Sequence, residues 1–306
     1  RSLVGSEMCI RDRSYKKGPF QIPMTNDMTK GAITPLLIRF TIPLVLGNLF
    51  QLTYNAADSI IVGKFVGEEA LAAVGTSNPL MTLAILFING MCLGAGILVS
   101  TAFGAGDTRL VERQVSTTAI AGTVFSLAFS ALCVILATPL LQLMQVPADI
   151  LPIAVNYLRI VFAGLIFTFF YNFLAATMRA LGDSKSPVWF LAAASAINIV
   201  LDLLTVCVLG LGVAGAAIAT VVSQLGSGLL CVGYLKKHFP ILRMEKDDWK
   251  LRRPEVMRLL GMGVPVGLQF SITAIGSVML QSAVNSLGAV CVSCLLYTSP
   301  SPRDYA

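Results

Sequence analysis

Charge is what this 306-residue chain has least of. Lys and Arg number 22, Asp and Glu 16, and together they make up only 12% of the residues, beside a single histidine. A soluble domain carries about twice that fraction, and with 56% hydrophobic residues and a mean hydropathy of +0.79 the soluble classes are excluded. The short alternating segments of a membrane β-barrel are missing too. So are H-E-x-x-H and G-x-S-x-G, which mark two hydrolase classes. Four cysteines (Cys92, Cys133, Cys207, Cys231) stand singly in apolar stretches, where packing is the expected role.

What is present in quantity is apolar sequence. Crossing the hydrocarbon core takes about 20 such residues in a helix, and seven stretches suffice: roughly 35–63, 72–103, 115–144, 150–178, 187–209, 214–235 and 256–287. The predicted fold class is an all-α polytopic membrane protein. Pro43, Pro79, Gly94, Gly96 and Pro265 lie inside these stretches, where kinks or tilt are expected. The first span is too long for a cleavable signal peptide and lacks a small-residue cleavage pattern.

Basic residues alternate between connections. One set holds Lys16, Lys17 and Lys30, then Arg109 and Arg113, then Arg179 and Lys185, then Lys236, Lys237, Arg243, Lys246, Lys250, Arg252, Arg253 and Arg258. The other set holds only Lys64 beside Glu68 and Glu69, then "VPAD" and "LGLGVAG". The positive-inside rule puts the N-terminus and the 236–258 loop in the cytoplasm. The net charge of +6 is thus a matter of topology, and no nucleic-acid partner is expected.

The two ends read as foreign. "LVGSEMCIRD" (Leu3–Asp12) and "CLLYTSPSPR" (Cys294–Arg303) are both encoded by one DNA duplex. CTC GTG GGC TCG GAG ATG TGT ATA AGA GAC, followed by AG, gives the first; its complementary strand, read one base in, gives the second. That DNA resembles a transposon-type sequencing adapter, so 1–13 and 291–306 are expected to be artefacts. The spacing of Cys291 and Cys294 then carries no redox or metal meaning. A native start at Met24 or Met28 and a continuation beyond residue ~290 follow from the same reading.

Between these ends the organisation is a cytoplasmic segment at 14–32, six transmembrane helices over 33–235, the polar loop 236–258, and a further helix at 259–290. The last span echoes the first, with Pro265 and Pro43, Gln269 and Gln51, Gly288 and Gly67 in like order. A six-span unit is even, so its repeat re-enters from the same side, as in parallel-repeat transporters.

Inside the seven stretches the only acids are Asp58 and Asp202. A charge at such depth costs about 2.5–3.5 kcal/mol on insertion scales and is functional by default. At 1.5 Å per residue Asp58 lies about 9 Å below the outer end of the first span, and Asp202 about 12 Å below that of the fifth. Asn198 is one turn beneath Asp202 on the same face, and Thr220 lies about 7–8 Å into the sixth span. Hard cations take such oxygen ligands. Two carboxylates close together in a low dielectric can also share a proton. Either way the pattern is that of an ion-coupling site; the bland alternative is that each polar group separately caps a backbone group or meets water.

"IPLVLGNLFQLTYNAADSIIVGKFVG", "RALGDSKSP", "NIVLDLL" and "LGVAGAAIATVVSQ", in this order over residues 30–290, resemble the multidrug and toxic compound extrusion (MATE) transporters. The resemblance implies a twelve-helix, two-lobe antiporter, of which this chain carries the N-lobe and the first helix of the C-lobe. It implies that Asp58, Asn198, Asp202 and Thr220 form the N-lobe site for H⁺ or Na⁺, and that organic cations or drugs are exported. No cofactor, no enzymatic activity, a monomer and a prokaryotic plasma membrane are implied with it.

Gln51, Asn48, Tyr171, Asn172 and Met81 are candidate cavity-lining residues, with helix–helix hydrogen bonding or packing as the alternative for each. "GLGVAG" (Gly210–Gly215) fits a dinucleotide-binding pattern, but no strand precedes it, so that reading fails. A lipid-linked oligosaccharide flippase and an intramembrane aspartyl enzyme are the competing functions. The first would want basic residues in the spans, which are nearly absent.

Overall fold

The computed structural model describes residues 33–239 and 251–285. Both ends read as adapter-derived lie outside the described residues, as do Cys291, Cys294, Gly288 and residues 240–250 of the basic loop. Every described element is helical: α1 (Ile33–Phe65), α2 (Glu68–Gly104), α3 (Thr108–Leu143), α4 (Leu151–Ala163), α5 (Leu165–Ala180), α6 (Lys185–Asp202), a π turn (Leu203–Val208), α7 (Gly212–His238) and α8 (Arg253–Asn285). Six helices, counting α6 with its π turn, are long and apolar enough to span a membrane, and α4 with α5 makes a seventh as one span bent by 42°. The protein is therefore an all-helical membrane protein. In lipid each backbone N–H must find its acceptor within its own segment, which is why the apolar stretches all become helices.

The breaks fall where hydropathy carries no signal. Pro43, Pro79, Pro139 and Pro265 all sit inside continuous helices. The interruptions come instead at Gly164, between α4 and α5, and after Asp202. At the first, the Ser130 hydroxyl of α3 donates to the Phe162 carbonyl at 2.6 Å, satisfying an acceptor that the bend leaves behind.

Outward faces are apolar, as a lipid solvent requires: Leu52, Ile60, Val124, Ile135, Trp189 and Val200 are all exposed. Inward faces form two clusters. The larger joins α2, α3, α4, α5 and α7 through residues such as Ile88, Cys92, Leu141, Leu158, Phe162, Phe169 and Cys231. The smaller joins the end of α1 (Ile61, Val62) to Ala70, Val74, Tyr157, Val161, Val206 and Val213. Small residues allow close crossings. Gly122 lies directly under the Phe169 ring, and at the crossing of α2 with α8 a Cβ on Gly94 would stand 2.6 Å from the Gly263 Cα. Cys92 and Cys231 are buried, as packing roles require, whereas Cys207 is exposed on the π turn.

The turn between α5 and α6 is closed by side chains. Gly182 takes a positive φ of 92°. Asp183, buried, accepts from the Lys185 and Ser186 N–H groups at 3.1 and 3.0 Å and from the Tyr234 hydroxyl at 3.3 Å. The Ser186 hydroxyl donates to that of Tyr234 at 2.8 Å, and His238 stacks on the Tyr234 ring at 4.2 Å. Asp183→Ala removes a cap and a link to α7 at once. A loss of about 1–3 kcal/mol is expected, read as a lowered melting point of the detergent-solubilised protein, with Asp183→Asn intermediate.

Candidate functional site

α1, α6 and α7 converge where Asp58, Asn198, Asp202 and Thr220 lie. Asp58 sits on α1 seven residues before its end at Phe65, half-buried. Its Oδ1 is shielded from solvent and meets no hydrogen-bond partner among the described residues. Asp202 is the last residue of α6; it is fully buried, and neither carboxylate oxygen has a partner among the described residues. Asn198, one turn earlier on the same face, donates from Nδ2 to Thr220 Oγ1 at 3.5 Å, and its Oδ1 is also unpartnered there. The Thr220 hydroxyl donates to the Ala216 carbonyl at 3.1 Å. That leaves its second lone pair open to another donor or to a cation.

The two carboxylates are close enough for their charges to act on each other. Tyr157 of α4 is buried where the charges of both, and Tyr54, act on it. Its hydroxyl lies 3.7 Å from the sulfur of Met81. Tyr54 in turn neighbours Gln51 and Gln224, and the Gln224 Oε1 is a further buried acceptor with no partner among the described residues. Leaving a buried acceptor unpaired costs about 1–3 kcal/mol, more for a charged one. The orphaned oxygens of Asp58, Asn198 and Asp202 are therefore a concentration of unmet demand for a proton or a cation, and the donor set is all oxygen, as a hard cation prefers.

Three residues of this neighbourhood, Tyr54, Tyr157 and Gln224, escaped the sequence reading. Depth counting could have found two of them. Tyr157 is six residues into α4, about 9 Å, the same depth as Asp58, and Gln224 follows Thr220 by one turn.

Of the candidate lining residues, Met81 and Gln51 lie beside the site through Tyr157 and Tyr54. Asn48 is exposed on α1. Tyr171 is buried in the larger core cluster with its hydroxyl on the Pro187 carbonyl at 3.3 Å. Asn172 donates to the Thr168 carbonyl of its own helix at 2.8 Å. The structure thus sets Met81 against Tyr157 and Gln51 beside Tyr54, and engages Tyr171 and Asn172 elsewhere. The stretch "GAGD" (Gly104–Asp107) matches the G-x-G-D pattern of intramembrane aspartyl enzymes. However, Asp107 is exposed at the opposite end of the bundle, capping α3 through the Leu110 N–H at 3.0 Å. It cannot pair with Asp58 or Asp202.

Known proteins share this architecture. The MatE family's sequence profile matches residues 43–204. The chain is 35% identical over 271 residues to the "Probable multidrug resistance protein YpnP" of Bacillus subtilis (strain 168), covering 87% of this chain and 60% of that protein. It is 30% identical over 275 residues to YoeA of the same strain, also called a probable multidrug resistance protein, covering 87% and 59%. It thus spans about 60% of the length of these relatives. Among solved structures it superposes on an outward-facing multidrug resistance MATE family transporter of the MOP superfamily, with 26% identity and a TM-score of 0.75 over 80% of this chain and 55% of that one. A second, the crystal structure of a MATE protein in the straight conformation, shares the fold at 25% identity, with a TM-score of 0.77 over 90% and 62%.

Proposed function

The chain belongs to the MatE family, and from that premise we propose that it forms the ion-coupling half of a multidrug exporter, a transporter and not an enzyme. Its substrates are organic cations or drugs, exchanged for H⁺ or Na⁺ at Asp58, Asn198, Asp202 and Thr220. The observation that carries this reading is the buried carboxylate of Asp202, with both oxygens unpartnered among the described residues and the Asp58 charge nearby. Six helices (33–235) make one lobe, and 259–290 begins the next, with the 236–258 loop on the cytoplasmic side.

The mechanism needs two states and a differential affinity between them. With the site charged, two carboxylates repel one another in a place water scarcely reaches, and the conformation that opens the site is favoured. A bound proton or Na⁺ removes that repulsion and favours the state that releases drug outside. Loss of the ion to the cytoplasm resets the cycle. Asn198 and Thr220 supply neutral oxygens that complete a cation's shell without adding charge.

The test uses the complete reading frame of the locus in everted membrane vesicles, with ethidium as probe and a proton or sodium gradient imposed. Export is expected under at least one gradient and is lost on its collapse, and Asp202→Asn is expected to fall to the level of empty vesicles. Gradient-driven export by Asp202→Asn equal to that of the unsubstituted protein would refute the assignment.

A further inference from the structure

Directly after Asp202 the backbone leaves the α-helical pattern. Leu203–Val208 form a π turn, after which the Leu209 N–H donates to the Leu204 carbonyl at 2.9 Å and the Leu211 N–H to the Thr205 carbonyl at 3.0 Å. Such turns are rare and frequently sit at functional positions, because the extra residue re-aims the side chains around it. One side chain of the turn bonds back to the backbone at Asp202. The buried Thr205 hydroxyl lies 2.8 Å from the Leu201 carbonyl and 3.5 Å from that of Asp202. Those two carbonyls flank the Asp202 Cα, so the hydroxyl is tied to the backbone from which the carboxylate projects.

α7 closes on the same point from the other side. A Cβ on Gly215 would stand 3.0 Å from the Thr205 Cβ and 3.1 Å from its carbonyl carbon and oxygen, so any larger residue would push the turn and α7 apart by a few tenths of an ångström. Five residues further along α7 is Thr220, which receives the Asn198 amide. The next residue of the turn, Val206, is buried in the cluster that includes Ile61 and Val62, one turn beyond Asp58 on α1. One contact therefore joins the backbone of Asp202, the helix of Thr220 and the end of the helix of Asp58.

We propose that Thr205 and Gly215 are positioning residues, a clamp that fixes the direction of the Asp202 carboxylate relative to Asn198, Thr220 and Asp58 and thereby sets the ion dependence of coupled export. The proposal rests on the ion-coupling reading above. Neither residue touches the ion. They act by holding the π turn against α7, so their loss changes the affinity of the site and spares its ligands.

The experiment measures ethidium export by the complete reading frame in vesicles, as a function of proton or sodium concentration. Thr205→Val keeps the shape and removes the hydroxyl, Thr205→Ser restores the hydroxyl, and Gly215→Ala presses on the turn from α7. Thr205→Val is expected to move the half-maximal ion concentration by about fivefold, the ratio one net hydrogen bond is worth, and Gly215→Ala to move it as well, with Thr205→Ser near the unsubstituted protein. If Asp202→Asn is inactive while both of the former variants superimpose on the unsubstituted profile, the clamp is refuted and the coupling reading stands. A shift as large in Thr205→Ser as in Thr205→Val also overturns it, since packing and not the hydroxyl would then be responsible. Should Asp202→Asn retain full gradient-driven export, the coupling reading falls and takes the clamp with it. Gly215→Ala leaves the Thr205 side chain in place, so the proposal stays testable even if Thr205→Val fails to fold.

Discussion

Asp58→Asn is expected to abolish gradient-driven export while the protein still inserts and folds. Asparagine matches aspartate in volume and keeps one acceptor oxygen, so the packing of α1 beside Ile61 and Val62 is undisturbed. What it cannot do is carry a negative charge or take up a proton. Two unit charges 4 Å apart interact by about 4 kcal/mol at an effective dielectric of 20, and each 1.4 kcal/mol is about tenfold in affinity. Losing one of two carboxylates therefore strips a bound cation of one charged ligand, and a proton loses one of its two acceptors outright. A ligand that no longer distinguishes the two conformations shifts nothing between them. Export should fall to the level of vesicles without the protein. The control is a circular dichroism spectrum and a size-exclusion profile unchanged from the unsubstituted protein. Full export by a properly folded Asp58→Asn protein would remove Asp58 from the mechanism.

The membrane helices were legible because lipid leaves few alternatives. A run such as 72–103 has nowhere to place its peptide groups except in a helix, and it became one, extended to Glu68–Gly104. The extensions are equally physical: Glu68 and Glu69 suit a helix start, where the dipole favours acids, but hydropathy does not register them. The bend at Gly164 and the π turn after Asp202 were not legible, because both depend on contacts between helices that hydropathy does not register. Ser130 serves the first and Gly215 the second.

The site was half legible for a related reason. Asp58 and Asp202 announce themselves, since a carboxylate in an apolar span needs a reason to be there. Tyr157 makes no such announcement, because tyrosine is common at membrane interfaces and in helix packing. Depth counting sets it level with Asp58, but depth alone does not say which face of α4 turns toward α1. The same holds for the tie between Tyr171 and Pro187, which engages a residue that spacing alone offers as a wall of the cavity.

Gly90→Leu is expected to lower the stability of the protein by forcing apart two helices that meet backbone to backbone. α2 and α8 cross on two glycine pairs, Gly90 against Gly267 and Gly94 against Gly263, in the stretches "GMCLG" and "GVPVG". A Cβ on Gly90 would lie 2.7 Å from the Gly267 backbone nitrogen and 2.9 Å from the Val266 carbonyl carbon, and one on Gly94 2.9 Å from the Gly263 nitrogen. These obstacles are main chain, which cannot rotate away as a side-chain tip can, so the helices themselves must separate. Membrane helices have no hydrophobic drive to compensate, because lipid is as apolar as the partner, and close van der Waals packing is what they lose. Over-packing costs about 1–3 kcal/mol, which at about 2–4 °C per kcal/mol lowers the melting point by roughly 2–12 °C. Gly276→Leu is the matched control on α8, since nothing lies within 4 Å of a Cβ there. Equal melting of Gly90→Leu and Gly276→Leu would mean that the crossing contributes nothing. A selective loss in Gly90→Leu would make the glycine crossing the point at which α8 is held to α2.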